Sequence, residues 1–376
     1  MSRLLASLEG ELAAPTDAGA HAKALIRKAI YCARDGSSEQ ARAVVALLRG
    51  LQSSAQFGTS VAGANLAEGV VATYSGNFST AIDKLRRASV IANSGEPSWL
   101  GRLIWAWQAH AYQILLRPEG IAGLAASILR SVQPEEHDVL SRLFSVVAVG
   151  LHFSDSYGRA RPWYDAAHQQ ALAEGDDLTI DANLYNVAAY RIHNSRLNQI
   201  STVADASEVA RARWEIQSSE NFDRIKQGTT FLWTLPLHIA RAVMLDGDFR
   251  TARQLLDNWV SKYELIVPAE HLAAAIADRA LCFAVTGDVS KGVQLIAELL
   301  HSLPIEITDD ELAIIYYRAS QVAALEGDME RASLELGRAR DRLALFRQLQ
   351  RMWLSAMAAI ELPAFAWVRR PVNLRP

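Results

Sequence analysis

The chain has 376 residues, half of them hydrophobic and 21% charged, which excludes a disordered polypeptide and suits a folded one. Its formal charge of -3 argues against a general nucleic-acid binder, which needs a basic field over the phosphates. Two cysteines, Cys32 and Cys282, form no CxxC pair or metal-like cluster; they read as buried free thiols, which fits a reducing, cytoplasmic compartment.

From the start, "MSRLLASLEGELAAPT" is interrupted by Glu9 and Glu11 and does not have the form of a signal peptide. No window along the sequence holds eighteen apolar residues in a row, so no membrane span is expected. Helical spacing dominates throughout and strand signals are almost absent.

Gly36 stands in "RDGSSEQARAVV", followed by Ala41, Val45 and Leu48 at helical steps. Forty residues on, Gly76 stands in "TYSGNFSTAIDKL", followed by Phe78, Ala81, Leu85 and Ala88. Each glycine ends one helix, because glycine accepts the left-handed conformation there. The spacing therefore predicts helix, tight turn, helix.

Next comes the aromatic stretch "SWLGRLIWAWQAHAY". Trp105 and Tyr112, two turns apart, can share a groove face, while Trp107 is expected to point elsewhere; the simpler reading is an aromatic stripe in the core. Three turns without glycine are expected near Pro118, Asp155 and Ser195, in a weak stretch of repeats over 100–220. The step from Ser195 to the next glycine is about twelve residues too long, so an inserted or kinked segment is expected at about 196–246.

The rhythm then returns as "LDGDFRTA", "VTGDVSKG" and "LEGDMERA", at Gly247, Gly287 and Gly327. The aspartate after each glycine can cap the next helix. Five positions after each turn glycine stands a small residue, Ala41, Ala81, Ala252, Gly292 or Ala332, where two antiparallel helices must approach closely. A near-constant period of helix pairs predicts a solenoid of about eight antiparallel pairs, since one pair cannot bury its own apolar stripe. The expected organisation is a single domain over 1–362. Within it Phe346, Leu349, Trp353, Met357 and Ile360 form a stripe on a C-terminal capping helix, and a basic tail follows over 363–376.

The glycine-marked turn with alanine five positions later resembles the tetratricopeptide repeat. Phe78, Ala81, Leu85 and Ala88 match that family's second helix, as do Met329, Ala332, Leu336 and Ala339. The stretch "YDAAHQQALAEGDDLTIDANLYNVAAY" looks like the longer repeats of MalT-type bacterial regulators. The period of forty departs from the family's thirty-four. The resemblance implies an all-α, right-handed superhelix whose first helices line a concave face that captures a protein or peptide segment. On that register the groove residues are Tyr74, Gln108, Tyr112, Tyr185, His193, Arg241, Tyr317 and Gln321.

Motifs for chemistry are lacking. "TGDVSKGV" has no phosphate-loop order, "GTSVAG" lacks the spacing of a serine elbow, and no HExxH pair occurs. "PEEHD" around His137 reads as a helix first turn, and "ITDDEL" as a capping box of Thr308 with Glu311. The expectation is a non-enzymatic scaffold without metal or cofactor, active in bacterial regulation or complex assembly. The alternative is a ligand or peptide sensor that signals through its C-terminal helix. If the C-terminal stripe is exposed, Phe346, Trp353 and Met357 become a seam for a homodimer.

Overall fold

The computed structural model describes residues 2–51, 57–92, 98–202, 205–226 and 232–363. Among them every regular element is helical. Of the expected tail, residues 364–376 lie outside the described residues. The protein forms two compact units, Met1–Asn183 with Met352–Pro376, and Leu184–Arg351.

Unit 1 opens with α1 (Arg3–Ala13) and continues as helix pairs. These are α2 (Ala18–Arg34) with α3 (Ser38–Gly50), α4 (Phe57–Tyr74) with α5 (Phe78–Ala92), α6 (Trp99–Ile114) with α7 (Pro118–Ser131), and α8 (His137–Phe153) with α9 (Tyr157–Glu174). The first helices α2, α4, α6 and α8 are neighbours in that order, so each pair buries its apolar stripe against the next. Ala41, Ala81 and Ala160 are wholly buried where the two helices of a pair meet.

α10 (Asp177–Asn198) begins in unit 1 and ends in unit 2. Unit 2 goes on with α11 (Ala206–Lys226), α12 (Thr234–Leu245) with α13 (Phe249–Tyr263), α14 (Ala269–Val285) with α15 (Val289–His301), and α16 (Asp309–Glu326) with α17 (Met329–Ala358). Its core gathers Trp259, Leu256, Leu281, Ile296 and Ile315. The last residues of α17 belong to unit 1, where Trp353 packs on Phe153 with ring centroids 5.3 Å apart. Gly150 lies so close that an added Cβ would stand 2.8 Å from the Met357 sulfur.

The turns follow the glycine marks. Gly36, Gly76, Gly247, Gly287 and Gly327 all have positive φ, and Asp248, Asp288 and Asp328 accept from the backbone N–H three residues on. Gly327 has φ +93 and open space around an added Cβ. Gly327→Ala therefore carries a backbone cost alone, expected at about 1–2 kcal/mol in chemical denaturation. The rungs without glycine use Leu116 (φ 53) and Asp155 (φ 57), with Pro118 at the start of α7.

Four expectations need correction. No turn falls at Ser195: α10 runs through it to Asn198. The supposed insertion is filled by the regular helix α11, which pairs onward with α12. Thr308 is the N-cap residue of α16 but its hydroxyl makes no capping bond, and Glu311 is buried beside Arg241 instead. The C-terminal stripe is covered within the molecule: Phe346 is 2%, Trp353 1% and Met357 0% exposed. A seam between copies through these three residues would need them on the surface, where they are not.

Candidate functional site

Charged side chains are buried mainly on the first helices of the pairs. In unit 2, Arg196 on α10, Arg241 on α12 and Arg318 on α16 all reach the carboxylate of Asp278 on α14. Arg196 Nη2 and Arg241 Nε lie 2.5 and 3.3 Å from Oδ2, and Arg318 Nε lies 3.0 Å from Oδ1. All four side chains are out of solvent. Burial alone would raise the Asp278 carboxyl, but the three guanidiniums together hold it well below the usual carboxylate range. Burial, then the neighbouring Arg196, lowers Arg241.

Most of the expected groove residues of unit 2 collect around this network. Gln321 Oε1 accepts from Arg318 Nη1 at 2.8 Å, and the Arg318 guanidinium lies 5.5 Å from the Tyr317 ring. His193 Nε2 stands 2.9 Å from Asp310 Oδ2. Tyr185 packs edge-on to His238, and burial, with Arg241 and Arg196 next, holds that imidazole neutral. Arg241 stands on the first helix of its pair but is buried in an ion network, 2% exposed, and is not a free anchor.

In unit 1 the first helices flank a small cleft, lined among others by Arg27, Arg34, Trp107, Asp138, Arg142 and Asp176. Arg142 lies flat on the Trp107 indole, 4.1 Å from guanidinium carbon to ring centroid, a stacking that stabilises a cation. Tyr74 meets the same indole edge-on at 6.4 Å and hydrogen-bonds Arg142 through its hydroxyl. Arg34 donates to Asp176 and to Thr179, each at 2.7 Å. Arg27 pairs with Glu174. Burial, then the nearby Arg34, lowers the Arg142 guanidinium to about 10. His110 flanks Trp107 at 5.4 Å, and burial followed by Arg142 pushes it down to about 3.

That depression has a measurable sign. A histidine whose folded pKa lies below its unfolded value binds a proton more readily in the unfolded state. Its contribution is full above about pH 6.5 and is lost as pH falls toward 3. His110 alone is expected to cost unit 1 about 2 kcal/mol between pH 7 and pH 5, and His110→Gln should remove that part of the pH dependence in denaturation curves.

The other expected groove residues divide. Tyr74 is 42% exposed and packs on Trp107, one of the residues lining the cleft, without lining it itself. Gln108 is buried and donates Nε2 to the Leu85 carbonyl at 3.2 Å, so it joins helices and does not face a ligand. Tyr112 packs inside its own hairpin against Gly120. Trp107, expected to point elsewhere, is the aromatic floor of the cleft, while Trp105 is not among its lining. Arg34, Arg142, Arg196, Asp278 and Arg318 were not singled out from sequence. Their signal was the spacing: Asp278 and Arg318 are forty residues apart, at one register of the repeat.

Among the described residues no group of three or more His, Cys, Asp or Glu side chains is placed to hold a metal ion. No helix among them is long and apolar enough to cross a membrane. Cys32 and Cys282 are buried free thiols.

Most pairs share a left-handed turn and a small residue at the crossing, and three of them an aspartate cap. The hairpins are tetratricopeptide-repeat-like. No family model matches the sequence, and no curated protein matches it. Among solved structures it is similar to a tetratricopeptide repeat protein from Parabacteroides merdae ATCC 43184, 11% identical with a TM-score of 0.42, over 77% of this chain and 99% of that one. It is also similar to a signal transduction ATPase with numerous domains, bearing a tetratricopeptide repeat sensor, from Pyrococcus horikoshii. There the identity is 15% and the TM-score 0.46, over 93% of this chain and 54% of that one.

Proposed function

We propose that the protein is a non-enzymatic binder of a protein or peptide segment, used in bacterial regulation or complex assembly in the cytoplasm. The observation that carries this reading is the unit 1 cleft. The exposed Tyr74, backed by the buried Trp107 and Arg142, combines contact area with hydrogen bonding and is a suitable anchor for a protein side chain. A homodimer seam on the C-terminal stripe needs exposed residues, and burial of Phe346, Trp353 and Met357 disfavours it.

The test is affinity capture from an extract of the source cells, comparing wild type with Tyr74→Ala and quantifying by mass spectrometry. Tyr74 is a better choice than the expected groove residue Arg241, because it is exposed and lies outside the buried ion network of unit 2. A protein enriched by wild type and lost with the variant supports the reading. Equal capture by both counts against the cleft, and no enriched protein counts against a macromolecular partner.

A further inference from the structure

In unit 1 the helices α2 to α9 form antiparallel pairs, and α1 stands outside them. A helix that merely closed the open end of a solenoid would rest on the first pair alone. α1 reaches further. Leu4 and Leu8 share one apolar cluster with Ala24 and Tyr31 of α2 and with Leu178 of α10, beyond the fourth pair. The Leu4 N–H donates to the Gly175 carbonyl at 3.3 Å, the Ser2 hydroxyl to Asp177 Oδ1 at 2.6 Å, and Arg3 Nη2 to the Leu172 carbonyl at 3.4 Å. Leu4 also lines the cleft, together with Ile30 of α2, Leu103 of α6 and Ser141 of α8. α1 therefore lies against the inner face of unit 1 and narrows the cleft itself.

Little besides this seat holds α1 in shape. It has 11 residues, fewer than the about 12–15 at which even a good isolated helix is marginal in water. Gly10 weakens its middle, and Ser2 makes no capping bond because its hydroxyl goes to Asp177. Its carboxylates reach only loose pairs at the surface, Glu9 with Lys28 at 3.5 Å and Glu11 with Arg27 at 3.6 Å. What docks it is one face: Leu4 and Leu8 are buried and Leu5 and Leu12 partly so, while Ser7, Glu9, Gly10 and Glu11 are exposed. At its N-terminal end the Gly175 carbonyl takes a first-turn N–H that no helix can satisfy internally. Resting on the peptide-binding reading above, we infer that α1 occupies the inner face of unit 1 from within. The partner segment that takes its place is an amphipathic helix with leucines at the same i, i+4 spacing, seated with its first turn at Gly175.

Only residues 14–17 join α1 to α2, and a segment on so short a tether competes at an effective concentration on the order of millimolar. A free peptide of the same sequence must therefore bind the wild-type chain poorly. The probe is "SRLLASLEGELAA", residues 2–14, labelled with fluorescein and followed by anisotropy against the full-length protein. Leu8→Asp puts a charge into the wholly buried seat of α1 and should free the face, so this variant is expected to bind the probe at least tenfold more tightly than wild type. A probe carrying Leu4→Asp and Leu8→Asp should bind neither protein. Since Leu8→Asp alters a buried position, hydrogen exchange supplies a second readout on the wild type. The amides of α1 are expected to exchange at least tenfold faster than those of α2 and α8, by an opening that leaves the pairs folded. Equal probe binding by wild type and variant, or α1 amides as protected as those of α2, overturns the inference. If that happens while Tyr74-dependent capture of a partner persists, the role of α1 alone falls. If the probe binds the variant and neither protein captures a partner, the macromolecular reading falls, and the exchange of α1 for a partner falls with it.

Discussion

Asp278→Ala is expected to lower the stability of unit 2 by about 3–5 kcal/mol, the largest single effect in the molecule. The reason is asymmetry in how buried charges are compensated. Asp278 satisfies Arg196, Arg241 and Arg318 from three other helices at once, with Glu311 3.8 Å from Arg241 as the nearest remaining carboxylate. Its removal leaves three buried cations facing one another, which solvent cannot reach. Urea unfolding followed by far-ultraviolet circular dichroism measures the loss. A change below about 1 kcal/mol would mean that the arginines relax into water or other partners, and the network would then have no central role. A sharper version replaces the whole set by apolar residues of similar volume, which is expected to cost far less than the single change.

Acid should act on the same residue. Because the folded pKa of Asp278 lies below its unfolded value, its contribution is complete above about pH 4 and fades as the pH falls further. The neutral His238, near Arg241 and Arg196, acts at higher pH, its contribution falling as the solution is taken below about 6.5. Unit 2 therefore weakens in two stages on acidification.

The difference between what was legible in the sequence and what was not has a physical basis. A left-handed turn favours glycine so strongly that Gly36, Gly76, Gly247, Gly287 and Gly327 marked five turns outright. Periodicity located two more at Leu116 and Asp155, where residue chemistry was silent, since both take positive φ without being glycine. It failed at Ser195 because α10 is 22 residues long and carries the rhythm past the expected stop. The buried charged residues were harder. An arginine in a helix usually serves a solvated face, and nothing local distinguishes Arg196 or Arg318 from one that does. Only their common register with Asp278, across successive first helices, shows that they meet. Trp107 was missed for a related reason: its importance comes from Arg142 on the next first helix, not from its neighbours in sequence.

Gly292 offers the second large effect, and it tests the packing rule that the repeat implies. Five residues after the turn, most pairs place alanine where the helices touch, and α15 places glycine. An added Cβ there would lie 2.7 Å from the Ala280 carbonyl oxygen and 3.0 Å from the Ala284 Cβ, both on α14. The first of these is backbone and cannot rotate away, so the two helices must separate along the pair. Gly292→Ala is expected to cost about 2–3 kcal/mol, although alanine is the better helix former by about 1 kcal/mol. Gly337→Ala gives the opposite sign under the same propensity: it lies within α17 with nothing inside 4 Å of an added Cβ, and a gain of about 0.5–1 kcal/mol is expected. Denaturation midpoints of the two variants decide the matter. Opposite shifts would show that helix spacing, and not helix propensity, selects the small residue in each pair. Two stabilising shifts would mean that α14 and α15 can part without cost, and the close approach would lose its explanatory place. The third pair already shows the rule by compensation. Its fifth position is the buried Ile121, and the glycine has moved one residue earlier to Gly120, where a Cβ would stand 2.7 Å from the Tyr112 ring.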